Sequence, residues 1–273
     1  ITILLVTICF ANASKQKKNG VLPWMGLQRT NESIASDLEE IESISNLLSA
    51  VAFERFNLGP NSTLILNNFT DVIPTIKSYG LQTLPMISTC CPWGRPEVIE
   101  YARELFRNPQ PFITSAVQYA LDEGFNGYSV DIEPVGGNAQ DAEDYANFVD
   151  MFANELHAFG KILTVCAATY DPFWNLTLLG RTQVDLIYTM NTYASNLTTF
   201  TQQFQFSVES IPLNKLAIGL MTVGDNNEPF SDAELQARFD MINSAKISNI
   251  GIWDAPIPSA WFPFLKQYVV DVV

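Results

Sequence analysis

Eight short apolar runs rich in β-branched and aromatic residues recur along the chain, at 22–27, 48–53, 84–89, 127–133, 162–168, 184–191, 216–221 and 249–253. Helical patterns separate several of them, clearest at 96–106, 113–123, 142–159 and 232–245. Strands that alternate with helices build a parallel sheet, because each parallel crossover takes a dozen or more residues. Eight such units in about 250 residues are the measure of a closed (β/α)8 TIM barrel. An open doubly wound sheet is the competing architecture. The barrel is favoured because the runs are almost wholly apolar and no Gly-rich phosphate loop follows the first. With 273 residues, 47% of them hydrophobic, the chain supplies one large core, so residues 21–273 are expected to form a single domain.

The fourth run carries the chemistry. Gly127-Tyr128-Ser129-Val130-Asp131-Ile132-Glu133 ends in two carboxylates and is followed by Pro134. Side chains alternate along a strand, so Asp131 and Glu133 share a face with Ser129, while Tyr128, Val130 and Ile132 share the other. Two carboxylates that close do not both ionise readily. One is pushed toward its protonated form, and a neutral Glu133 is a proton donor. The plainer reading is two ordinary acids at a solvent-facing strand end, against which the apolar flanks speak. In a barrel, acids at a strand's C-terminal end sit at the catalytic mouth. Glycines of the loop 134–138 serve turn geometry, and Asp141 falls in the first turn of the next helix.

A formal charge of −14 and a pI near 4.4 argue against nucleic-acid and anionic-membrane partners. Residues 1–10 are apolar and lead into Ala11-Asn12-Ala13, the form of a signal-peptidase site. Residues 1–13 are therefore read as part of a secretory signal and 14–20 as a polar leader, with the protein secreted or in a lysosome-like compartment. The apolar run is too short to span a bilayer. N-x-S/T triplets at Asn31, Asn61, Asn68, Asn175 and Asn196 suit a glycoprotein. Without the signal, Cys90, Cys91 and Cys166 remain, an odd number that forms no disulfide framework. Cys90 and Cys91 either pair under strain or fill space as small apolar groups.

His157 is the single histidine, placed where an imidazole complements a helix C-terminus, so a Ser-His-Asp triad is not expected. HExxH, CxxC and Walker patterns are absent too, and the sequence predicts neither metal nor cofactor. What remains is carboxylate chemistry in a monomer.

The segment from Phe125 and Asn126 through Glu133 resembles the fourth-strand signature of family 18 glycoside hydrolases, written DGxDxDxE. Its last Asp and its Glu fall on Asp131 and Glu133, and its two earlier Asp positions are Asn126 and Ser129. The stretch 184–193 is similar to the family's VDxxxxMxYD element with one residue extra, which brings Met190 and Asn191 into it, matches its tyrosine to Tyr193 and replaces its Asp by Ala194. The segment 250–253 resembles the one that ends in the family's pocket-floor tryptophan, here Trp253. Ser88-Thr89-Cys90-Cys91 stands where the family has Ser-x-Gly-Gly, and the short connection from 221 to 249 leaves no room for a large insertion domain.

The resemblance implies a retaining glycosidase that cleaves β-1,4-linked N-acetylglucosamine-containing glycans (chitin, chitooligosaccharides or an N-glycan core). The nucleophile would be the substrate's own 2-acetamido carbonyl. It makes Glu133 the general acid and has Asp131 orient the acetamide and stabilise the oxazolinium. Tyr193 would donate to the same group and Trp253 floor the sugar, with Ser129, Met190 and Asn191 also lining the substrate.

Each secondary residue has a plain alternative: backbone bonding for Tyr193, core packing for Trp253, simple filling for Ser129. Trp93, Tyr170 and Trp174 follow strand ends and are read as loop closers before sugar platforms. Phe53-Glu54-Arg55 either reaches the mouth or forms an ion pair. Two other functions stay open. One is a catalytically weak or silent carbohydrate-binding barrel; the other is a glycosidase with a carboxylate nucleophile, for which Asp254 is the nearest suggestion.

Overall fold

Alternation along each run sorts its residues into two cores, and the chain closes around the inner one. The computed structural model describes residues 19–26, 30–67, 72–89 and 94–270. The signal segment 1–13, leader residues 14–18, Asn68, Cys90, Cys91 and Trp93 lie outside the described residues. The strands are β1 (Gly20–Met25), β2 (Ala50–Gly59), β3 (Thr63–Leu66), β4 (Gln82–Ser88), β5 (Gly127–Asp131), β6 (Ile162–Ala167), β7 (Leu186–Thr189), β8 (Leu216–Met221) and β9 (Asn249–Trp253). The helices are α1 (Asn31–Ser43), α2 (Val72–Ser78), α3 (Val98–Arg107), α4 (Gln110–Asp122), α5 (Ala139–His157), α6 (Leu176–Arg181), α7 (Leu197–Ser210), α8 (Asp232–Ser244) and α9 (Phe262–Val270).

All strands except β3 pair in parallel, and β1 bonds both β2 and β9, which closes an eight-stranded (β/α)8 barrel. Adjacent residues divide between its two sides. Leu22, Trp24, Ala50, Ala52, Leu84, Met86, Cys166, Tyr188 and Ala217 fill the interior. Val21, Val51, Ile87, Val130, Val165, Ile187, Ile218 and Ile250 face the helices. Gly251 lets the indole of Trp24 cross the barrel, since a Cβ there would come within 2.4 Å of it.

The second run goes further than the sequence predicts. β2 continues to Gly59, shifts register between Phe53 and Phe56, and turns back as the antiparallel β3. Such a shift inserts a residue and re-aims the side chains beside it. β7 is shorter than the run 184–191 and ends at Thr189. Helices α1, α2, α6, α7 and α9 were not among the clear periodic patterns. The chain between β8 and β9 holds a short 3-10 turn and α8, with no insertion domain.

Helix α5 aims the segment that follows β5. Asn138 accepts the Gln140 and Asp141 N–H groups at 2.8 and 3.2 Å, and Asp141 accepts the Asn138 N–H at 2.9 Å, a reciprocal cap. Arg103 of α3 grips the same Asp141 through Nε and Nη2, both at 2.8 Å, and holds its carboxyl below the usual range. His157 lies in the last turn of α5, 2.9 Å from Asp185. Among the described residues, no helix is long and apolar enough to cross a membrane.

Candidate active site

β5 delivers its inward residues between those of β4 and β6. Ser129 lies level with Met86 and Thr164, and Asp131 level with Ser88. The strand ends at Asp131, and Glu133 follows half-buried at the rim, its N–H held by Thr89 Oγ1 at 2.8 Å.

Asp131 is 2% exposed, and its Oδ1 has no hydrogen-bond partner among the described residues. Burial pushes its carboxyl well above the usual aspartate range, and the nearby carboxylates of Glu133 and Glu54 push it further. The strand sinks Asp131 into the barrel, while Glu133 lies half-buried at the rim.

For Glu54 the sequence leaves two readings, a place at the mouth or an ion pair in its segment. It is fully buried at the shift in β2, where it accepts from Asn57 Nδ2 at 2.9 Å. Asn67 donates to Asn57 Oδ1 at 2.9 Å and to the Glu54 carbonyl at 3.0 Å, which fixes the group. Its neighbour Arg55 pairs with Glu123 at 3.0 Å, so the segment both reaches the mouth and makes the ion pair.

The extra residue after β7 is absorbed in a turn. Tyr193 N–H donates to the Met190 carbonyl at 3.0 Å, and Thr192 Oγ1 donates to the Gly219 carbonyl at 2.8 Å. The turn swings the Tyr193 ring over Gly219, where a Cβ would lie 2.7 Å from the ring. Burial raises the Tyr193 phenol well above its ordinary value, and the charges of Cys166, Asp131, Glu133 and Asp254 add to that. Trp253, half-buried at the end of β9, stands 6.4 Å from Tyr193 and 6.2 Å from Trp24 between ring centroids.

Met190 packs partly buried against the interior cluster. Asn191 goes the other way: its amide donates to Gln203 Oε1 and Ser207 Oγ of α7, both at 3.0 Å, so its side chain is not brought to the mouth. The turn that admits Tyr193 rotates Asn191 outward. Ser129 Oγ lies 3.8 Å from Cys166 Sγ, and no hydrogen bond joins it to Asp131. Burial raises the Asp254 carboxyl, and its charge acts on Tyr193 and Asp37.

Tyr170, read from sequence as a loop closer, donates its hydroxyl to Glu133 Oε2 at 3.0 Å. Trp174 meets its ring edge-on at 4.8 Å. Nothing local to Tyr170 in sequence announces a partner 37 residues away. Among the described residues no group of three or more His, Cys, Asp or Glu is arranged to hold a metal ion.

No protein-family model matches the chain, and no curated protein sequence is similar to it. Solved structures are similar. A chitinase from Chromobacterium violaceum ATCC 12472 aligns over 93% of this chain and 99% of its own, with a TM-score of 0.76 and 13% identity. What is shared is the barrel. The spore cortex-lytic enzyme SleL of Bacillus megaterium QM B1551 aligns over 92% of this chain and 74% of its own (TM-score 0.77, 12% identity). The Ostrinia furnacalis Group IV chitinase in complex with allosamidin covers 93% and 98% (TM-score 0.71, 14% identity).

Proposed function

We propose that the protein is a retaining glycoside hydrolase acting on β-1,4-linked N-acetylglucosamine-containing glycans through the substrate's own acetamide. The observation that carries this reading is the buried Asp131 Oδ1 beside Glu133, without a hydrogen-bond partner among the described residues, with Tyr193 and Trp253 at the same mouth. A buried polar atom without a partner costs roughly 1–3 kcal/mol, so it is a place prepared for a donor from outside. An acetamide N–H is such a donor. The names of the fold neighbours, chitinases and a cortex-lytic enzyme, support the same substrate class.

Two close acids do not both ionise readily, and in the empty site burial favours the neutral form of Asp131. When the acetamide N–H bonds to Asp131, the ionised form of that residue is favoured and the proton is driven to Glu133. Glu133 then protonates the glycosidic oxygen, while the acetamide carbonyl attacks the anomeric carbon from within the same sugar. Holding that carbonyl in place makes the attack intramolecular. The Asp131 carboxylate balances the positive oxazolinium, the Tyr193 hydroxyl supports its oxygen, and Trp253 forms the floor. Water then opens the oxazolinium with retained configuration.

Replacing Glu133 by Gln should cut turnover of chitooligosaccharides by roughly two to four powers of ten while leaving their binding in place. Full activity in that variant would remove Glu133 from the mechanism. A second reading, a barrel that binds these glycans without cleaving them, is favoured by one observation. Ser129 turns to Cys166, so no further acid on β5 lies beneath Asp131 to share its proton. Tight binding by the wild type with no cleavage would select it.

A further inference from the structure

Tyr170 sits on the loop after β6 with 52% of its surface exposed, yet its hydroxyl reaches Glu133. The surrounding loop is built to keep it there. Asp171 accepts the N–H groups of Gly136 at 2.8 Å and Gly137 at 3.1 Å, both on the loop that follows Glu133, and of Phe173 at 2.9 Å. A Cβ on Gly137 would stand 2.6 Å from Asp171 Oδ1 and 2.7 Å from Phe173 Cβ, so this close approach requires glycine. Phe173 is buried against Tyr145 at 4.7 Å and crosses Trp174 at 90°, and Trp174 in turn meets Tyr170 edge-on. The two loops are latched, with the phenol and the carboxylate on either side of the latch.

We infer that Tyr170 is a positioning residue for the acid: its O–H occupies Glu133 Oε2, so that the transferable proton sits on Oε1 and that oxygen faces the scissile bond. A carboxylic acid carries one proton, and the oxygen that accepts from a phenol is the one without it. When the Oε1–H bond breaks, its electron pair stays on Glu133 and the proton goes to the glycosidic oxygen. That oxygen leaves the anomeric carbon with the pair of the broken C–O bond. Tyr170 then donates to a full carboxylate, where the bond is stronger than to the neutral acid. It therefore favours the transition state over the bound substrate. Among the described residues, titratable groups that feel the Glu133 charge include Asp131 at the end of β5, Cys166 on β6 and Tyr193 after β7, and burial favours the neutral form of all three.

The inference rests on Glu133 being the acid, and the test separates the two. Tyr170→Phe keeps the ring stack and the latch and removes only the O–H. Carbon-13 NMR of the Glu133 carboxyl, assigned by its loss in Glu133→Gln, needs no substrate. Its midpoint is expected to rise by about one unit in Tyr170→Phe, because a donor to the ionised form is gone. Tyr170→Ala should rise as much. On chitooligosaccharides, kcat should fall about tenfold at unchanged KM, with the alkaline limb of the rate profile displaced upward. An unmoved midpoint, or a raised KM at unchanged kcat, overturns the inference and leaves Tyr170 as a contact surface. A shifted midpoint in a protein that cleaves no chitooligosaccharide upholds the Tyr170–Glu133 contact and overturns the hydrolase reading.

Discussion

Asp131 shows how one residue carries function at the expense of stability. Its folded carboxyl lies well above the ordinary aspartate value of 3.8, so the folded state binds the proton more tightly than the unfolded chain. The stability this brings is complete below that ordinary value and is lost as pH rises through the folded one. Asp131→Asn removes the dependence, and melting temperature measured against pH should show the variant gaining on the wild type toward alkaline pH while losing turnover. A variant whose melting curve tracks the wild type at every pH would contradict the account of burial. The inward facing of Ser129 and Asp131 was legible in sequence because strand parity is strict. Which acid sinks deeper was not, since that depends on the strand ending at Asp131. Asn191 was misplaced for a related reason: the residue added after β7 becomes a turn, and a turn does not preserve parity.

Elements hold these residues through clamps that span the sequence. Glu40 of α1 accepts the Ile257 N–H at 2.6 Å, and Asp37, one turn earlier, accepts the Gly26 N–H at 2.9 Å, tying the exits of β9 and β1 to one helix. Burial, opposed by that hydrogen bond and assisted by Asp37, raises the Glu40 carboxyl from 4.5 to about 7. Its contribution is fully present below 4.5 and is lost as pH rises through about 7, so thermal stability should decline over that window and Glu40→Gln should flatten the decline. At β8, Gly219→Ala should lower the melting temperature as well as kcat, because the new methyl would stand 2.1 Å from the Thr189 carbonyl oxygen of β7 and 2.7 Å from the Tyr193 ring. The capping boxes of α5 and α8 were readable in principle, and their helices emerged from the periodicity. Helix α7 was missed because Phe206 and Leu197 point to solvent and blur the apolar stripe set by Phe200 and Phe204. The shift in β2 that brings in Glu54 leaves no local mark, since its cause is the pairing with β4 and β3.

At the scale of the molecule, closure makes the mouth possible: β1 must bond both its neighbours for acids from β5 and β2 to converge with rings from β7 and β9. The barrel was legible because burial on both faces forces apolar strands at regular spacing, whereas contacts across the mouth join residues far apart in sequence. With no insertion domain between β8 and β9, long glycans should enter the mouth as readily as short ones, which competition between chitin oligomers of increasing length would measure. The central claim is that one sugar's own acetamide attacks its anomeric carbon beneath Glu133. Proton NMR of the first product formed from a chitooligosaccharide tests it most directly: the account predicts the β-anomer before mutarotation, from the wild type and not from Glu133→Gln, and first appearance of the α-anomer would contradict it.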